Sequence, residues 1–147
     1  MKKKKRMREE LDSVLGSRSD VNYEDLAELK YTNCVFKEVL RLWPPVTAVS
    51  RVTPDDYKIN EYVVPKGTWI QVGPYHSGRS EENFTNPLEF QPERFLKETN
   101  NEENNQNYTF FPFSLGPRNC IGQNFVSRIY FYLVLIFLNY IYFKAQV

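Results

Sequence analysis

The stretch FPFSLGPRNCIG, Phe111 to Gly122, sets two prolines, two glycines, an arginine and a cysteine ahead of a long apolar run. Proline fixes φ and glycine frees it, so the segment reads as a stiff, sharply bent loop built around one thiol, Cys120. Beyond Cys120 the apolar pattern resumes, which predicts a helix from near Ile121 toward the C-terminus. A helix starting there brings the positive end of its dipole to the sulfur and favours the thiolate form.

Four readings of Cys120 compete. Burial as a small apolar side chain is the ordinary state of a free cysteine. A nucleophile needs a base, and the one histidine is His76, for which the sequence places no orienting partner. A structural zinc site fails, because two cysteines and one histidine do not supply four protein ligands. A single thiolate can, however, be the sole protein ligand of a haem iron. Such a loop needs amides aimed at the sulfur, glycines at the turns and a cation for the haem propionates, and Gly116, Gly122 and Arg118 stand where those tasks fall.

Working back from the loop, ETNNEENNQN (residues 98–107) is polar and of low complexity, with nothing to bury, and is expected to be a flexible loop. TNPLEFQPERF (residues 85–95) carries prolines every few residues and reads as extended and irregular. The β-branched residues of VTAVSRV (46–52) and the punctuated runs of YKINEYVVPKGTWIQVG (57–73) predict short strands in a small sheet. Three helices are expected before them. Arg6 to Leu15 places Met7, Leu11, Val14 and Leu15 at helical spacing, with Gly16 as the stop. A second short helix has Asn22 as N-cap and Glu24 and Asp25 in its first turn. The third, Tyr31 to Trp43, has Val35, Phe36, Val39, Leu40 and Trp43 on a broad apolar face and ends at Pro44-Pro45.

Glu38 and Arg41 stand three apart on that third helix and can meet on one face. An exposed pair of this kind contributes about 0–1 kcal/mol. Val35 and Leu42 are near neighbours, so burial is plausible, and a buried pair needs a further partner. Arg94, in PERF, is the candidate, giving a carboxylate flanked by two guanidiniums that locks a helix to a distant irregular segment.

The charge balance narrows the partners. The formal net charge is +1, yet Met1 to Glu10 holds six basic and two acidic residues and so carries +4 against −3 for the rest. No aromatic side chains interleave with those lysines, which argues against nucleic-acid binding and for a solvated helix end. Two cysteines are too few for a disulfide framework, and no signal-peptide pattern opens the chain. The sequons at Asn83 and Asn107 are read as chance in a chain with no secretory signal. Ile129 to Phe143 would span about 22 Å as a helix, short of the roughly 20 apolar residues that a bilayer requires. A buried helix is the reading adopted.

The residues now carry a resemblance. Phe113-x-x-Gly116-x-Arg118-x-Cys120-x-Gly122 resembles the complete haem-thiolate loop of the cytochrome P-450 monooxygenases. KEVLR resembles the family's Glu-x-x-Arg signature at Glu38 and Arg41, and PERF the segment whose arginine, here Arg94, joins that pair. The resemblance implies a mainly α fold with a small β-sheet, the C-terminal part of the P-450 fold from helix J to helix L, as one partial domain over 1–147. It implies heme b (iron protoporphyrin IX) with Cys120 as axial ligand, Arg118 and Arg51 toward the propionates, and Phe113 shielding the sulfur. Val46 to Ser50 would line the substrate side. The loop is most similar to cholesterol 24-hydroxylase-like members, with fatty-acid omega-hydroxylases next.

The function implied by the resemblance is that of an oxidoreductase inserting one atom of O2 into a C–H bond of a small lipophilic substrate, a sterol or a fatty acid. Electrons would come from an NADPH-dependent reductase or another redox partner. Whole family members are much longer, so a fragment is expected, with its N-terminal membrane anchor and oxygen-activating helix absent. The parent would sit on the cytoplasmic face of the endoplasmic reticulum membrane. Val126 and Ile129 stand where the family commonly has Ala and Glu, and the aromatic tail is consistent with a misassembled gene model. The alternatives are a non-catalytic truncated product and a haem-binding sensor or carrier.

Overall fold

The computed structural model describes residues 2–16, 18, 22–96, 106–129, 132–133 and 136. The chain forms two compact units, one of Met1–Val39, Phe90–Glu102 and Cys120–Val147, the other of Leu40–Glu89 and Glu103–Asn119. Most of the predicted 98–107 loop and of the apolar run after Ile129 lies outside the described residues.

In the first unit α1 runs Lys2–Leu15 and takes in the lysines ahead of the predicted start. Its Leu11 and Leu15 are buried with Leu29, and Val14, Leu26 and Phe36 pack against them. Gly16 ends the helix at φ 59°, its N–H donating to the Asp12 carbonyl at 3.0 Å, a left-handed stop that glycine adopts without strain. The second helix, α2, is only Asp25–Glu28, with Glu24 at its N-cap and no side-chain cap bond. Asn22 is therefore not the cap. The bond runs the other way: the Asn22 N–H donates to Asp25 Oδ2 at 2.7 Å, and Arg18 Nη2 meets Asp25 Oδ1 at 2.7 Å. Those two donors, Arg18 first, hold the Asp25 carboxyl below its usual range.

The third helix, α3, spans Lys30–Leu42. Its start is closed from α1: Glu10 accepts from the Tyr31 N–H at 2.6 Å, the Thr32 N–H at 2.8 Å and the Thr32 hydroxyl at 2.7 Å. These are first-turn donors with no partner inside a helix. Trp43 leaves the helix and is exposed, because a residue before proline is pushed out of the α region. The predicted apolar face is thereby corrected. Val35, Phe36 and Val39 are half-buried, whereas Glu38 and Arg41 are only 0% and 1% exposed. PERF is corrected too: Pro92–Phe95 closes into a 3-10 turn with proline at its start. Proline's fixed φ suits a first turn, and its restriction keeps the preceding Gln91, at φ −126° and ψ 83°, out of the α region.

The second unit holds strands β1 (Val49–Val52), β2 (Tyr57–Ile59), β3 (Tyr62–Val64) and β4 (Trp69–Val72). They form two antiparallel ribbons, β1 with β4 and β2 with β3, where the sequence predicts one sheet. Pro54 and Pro65, which have no N–H, interrupt the ladder on either side of the β2–β3 hairpin. Thr53 bridges the interruption. Its N–H donates to the Thr68 carbonyl at 3.0 Å and its hydroxyl to the Pro65 carbonyl at 2.7 Å. In β1–β4, Val49 faces Val72 and Arg51 faces Ile70, so these four share one side of the ribbon. Helix α4 (Pro74–Ser77) follows, started by Pro74, and α5 (Gln106–Thr109) precedes the proline-rich loop. The Ser77 hydroxyl donates to the Thr109 carbonyl at 2.8 Å and so ties α4 to α5.

Candidate haem site and the buried charges of α3

The loop after α5 is built as its residues dictate. Phe111 is buried and Phe113 half-buried. Ser114 takes φ 66° and Gly116 φ 76°, and Gly116–Arg118 forms a 3-10 turn closed by the Asn119 N–H on the Gly116 carbonyl at 3.0 Å. Gly116 thus supplies the left-handed backbone that an L-residue resists. Gly122 does not. A Cβ there would meet Cys120 Sγ at 3.9 Å and Val126 Cγ2 at 3.8 Å, which is ordinary contact.

Cys120 is free and exposed, which removes the buried-thiol reading; the buried one is Cys34, whose thiol burial pushes upward in pKa. Residues 123–129 are helical, and the Gln123 N–H donates to the Cys120 carbonyl at 3.2 Å. The helix predicted from near Ile121 thus begins just behind the thiol. His76 lies on α4, edge-on to Tyr75 with ring centroids 5.7 Å apart. Among the described residues no group of three or more His, Cys, Asp or Glu side chains gathers to hold a metal ion.

Within the second unit, Arg51 from β1 and Arg118 from the loop line one cleft of about 350 Å3. Its other walls are Val49, Val72, Tyr108, Phe111, Ser114, Leu115 and Pro117. The two cations that the resemblance assigns to propionates therefore share a mostly apolar recess, a donor set suited to carboxylates.

Glu38 and Arg41 are, with Thr32, the most deeply buried residues of α3. In the first unit, Glu38 Oε1 accepts from the Gln91 N–H at 2.7 Å and from Arg94 Nε at 3.2 Å. In the second, Arg41 Nη1 donates to the Gly78 carbonyl and to the Pro87 carbonyl at 2.7 Å, and Nη2 to the Glu89 carbonyl at 3.2 Å, with the guanidinium 5.0 Å from the Phe84 ring. Sequence reasoning found Glu38, Arg41 and Arg94 but missed Gln91 and these carbonyls, because backbone acceptors leave no residue-type signal. The burial explains the bonds: a charge out of water needs every donor or acceptor met.

The cytochrome P450 family model matches residues 2–146. The chain is 46% identical over 117 residues to cytochrome P450 4V2 of Rattus norvegicus, covering 79% of this chain and 22% of that protein. It is 46% identical over 122 residues to cytochrome P450 4V2 of Homo sapiens, covering 82% and 23%. With cytochrome P450 4d1 of Drosophila melanogaster it shares 44% over 119 residues, 80% of this chain and 23% of that one. The chain therefore belongs to the cytochrome P450 family. It spans under a quarter of the length of these relatives. The names of these relatives specify neither a sterol nor a fatty acid.

Proposed function

We propose that this chain supplies the cofactor-holding part of a haem-thiolate monooxygenase, with Cys120 as the axial iron ligand. Haem held by a thiolate supplies the oxygen chemistry, since the sulfur's electron donation favours O–O cleavage. The chain's own residues hold and orient it. Arg51 and Arg118 meet the propionates, Gly116 turns the loop, and Phe113 covers the sulfur. Glu38, Arg41 and Arg94 keep α3 and the PERF turn in place. The observation that carries the reading is the shared cleft: Arg51 and Arg118, far apart in sequence, line one mostly apolar recess with no carboxylate in its walls.

For the whole protein we infer insertion of one atom of O2 into a C–H bond of a lipid-like substrate, with two electrons from a redox partner and two protons from solvent, the second oxygen leaving as water. The lipid class rests on resemblance alone, of YTFFPFSLGPRNCIGQNF (108–125) and PYHSGR (74–79) to the sterol hydroxylases and of the GPRNCIGQNF core (116–125) to the fatty-acid ones. Membrane attachment belongs to the same proposal; no helix among the described residues is long and apolar enough to cross a membrane.

The test is spectroscopic. Haem is added to the 147-residue chain, reduced and exposed to carbon monoxide. A thiolate-type Soret shift that vanishes in Cys120→Ala supports the assignment, and an unchanged spectrum in that variant removes Cys120 as the ligand.

A further inference from the structure

The first unit holds a cleft of its own, of about 850 Å3, within the roughly 300–1,000 Å3 of small-molecule sites. Helix α3 contributes Lys30, Cys34 and Lys37 to its walls. At i, i+4 and i+7 these three form one stripe of the helix, with the lysines about 10 Å apart along its axis. Between them Cys34 is only 5% exposed. Burial pushes its thiol upward in pKa, so the middle of the stripe is neutral and weakly polar. Apolar wall comes from Leu26 of α2 and from Phe95 and Leu96 at the end of the PERF turn.

The charges of the cleft are unevenly matched. Its two carboxylates are engaged: Glu10 accepts the three first-turn bonds of α3, and Glu9 pairs with Lys5 at 3.6 Å. Arg6 pairs with Glu93 at 3.8 Å and lies over the Tyr31 ring. The lysines of α3 are not engaged in this way. Among the described residues Lys30 has neither an ion pair nor a side-chain hydrogen bond, and Lys37 has only the Phe95 ring, 6.0 Å away.

We propose that this cleft binds an α,ω-dicarboxylate, one carboxylate at Lys30 and the other at Lys37, with the methylene chain lying along Cys34 against Leu26 and Phe95. Two unmatched cations at the ends of a neutral stripe complement two anions at the ends of an apolar chain. Each end gains a charge-assisted hydrogen bond, and the chain takes apolar wall out of water. A monocarboxylate leaves one lysine unmatched, and a neutral chain leaves both.

Three probes of equal chain length decide it: decanedioate, decanoate and decyl alcohol. Each is titrated calorimetrically into the 147-residue chain, and the alkylation of Cys34 and Cys120 by iodoacetamide is followed by peptide mass mapping. Decanedioate is expected to bind about fivefold more tightly than decanoate, the scale of one exposed ion pair, and to slow alkylation at Cys34 while leaving Cys120 unprotected. Lys30→Gln and Lys37→Gln should each abolish the preference for the dianion and leave decanoate within about twofold of the parent. Both replacements are good helix formers, and unchanged circular dichroism shows that α3 stands. Equal affinities for decanedioate and decanoate overturn the proposal, since the cleft is then an apolar site alone. A preference that survives both lysine variants, or binding without protection of Cys34, places the dianion elsewhere and overturns it too.

Discussion

Arg94 Nε lies 3.2 Å from Glu38 Oε1, and the Glu38 side chain is 0% exposed. The carboxylate also accepts the Gln91 N–H at 2.7 Å. One buried charge therefore joins α3 to the backbone and to the side chain of the segment leading into the PERF turn. Removing it takes a buried acceptor from both Arg94 and the Gln91 N–H. Glu38→Ala is expected to destabilise the chain by about 3 kcal/mol, read as a lowered urea midpoint. Glu38→Gln, which keeps an acceptor for Gln91, should cost less.

Arg41 is fixed by shape as well as charge. Its fork reaches three carbonyls, and a Cβ on Gly78 would lie 2.5 Å from the Arg41 carbonyl oxygen. Backbone cannot yield there as a side chain can. Gly78→Ala should cost about 3 kcal/mol, at the upper end of overpacking, and Arg41→Lys should also destabilise because an ammonium cannot reproduce the fork. Equal midpoints for Gly78→Ala and the parent chain would refute this.

The loop glycines should separate. Gly116 needs its left-handed backbone, so Gly116→Ala is expected to cost about 1–2 kcal/mol. Gly122→Ala, with room for a methyl beside Cys120 Sγ, should melt within about 0.5 kcal/mol of the parent. Thermal unfolding of the two variants side by side is the check.

Tyr31 gives the alkaline limit. Burial, and then its hydrogen bond to Glu93 at 3.0 Å, push its phenol up to about 12. The folded state holds this proton more tightly than the unfolded one, whose tyrosine titrates near pH 10. The linked stability is whole below about pH 10 and is lost as pH rises toward about 12. Tyr31→Phe should flatten that part of the urea-midpoint profile.

At the acid end the sign reverses. Arg18 and the Asn22 N–H hold the Asp25 carboxyl below its ordinary value, so its contribution is present above that value and drains as pH falls beneath it. Asp25→Asn should remove this acid-side slope while leaving the alkaline one intact. The same titration reads both.

The residues that name the family were legible because their spacing is read without a fold: Cys120 behind Arg118, Glu38 three before Arg41. Helices α1 and α3 were legible from their apolar period, and the helix behind Cys120 from where that period resumes. What the sequence concealed depends on partners from elsewhere in the chain. Asn22 looked like a cap by residue type, but Asp25 takes the bond because Arg18 holds its carboxylate in place. Trp43 fits the apolar period of α3, yet Pro44 removes it from the helix. The cleft joining Arg51 to Arg118 follows from a ribbon register that no local pattern encodes.

The Glu10 carboxylate bears on how α3 comes into being. Its bonds to the Tyr31 and Thr32 amides join residues about twenty positions apart. The first turn of α3 is thus completed by a side chain of another helix, and it cannot be sealed until α1 has docked. Amide exchange at Tyr31 and Thr32 then reports on the docking of α1 and not on local fraying. A peptide cut to Lys30–Leu42 would lose that protection while keeping every residue of the helix.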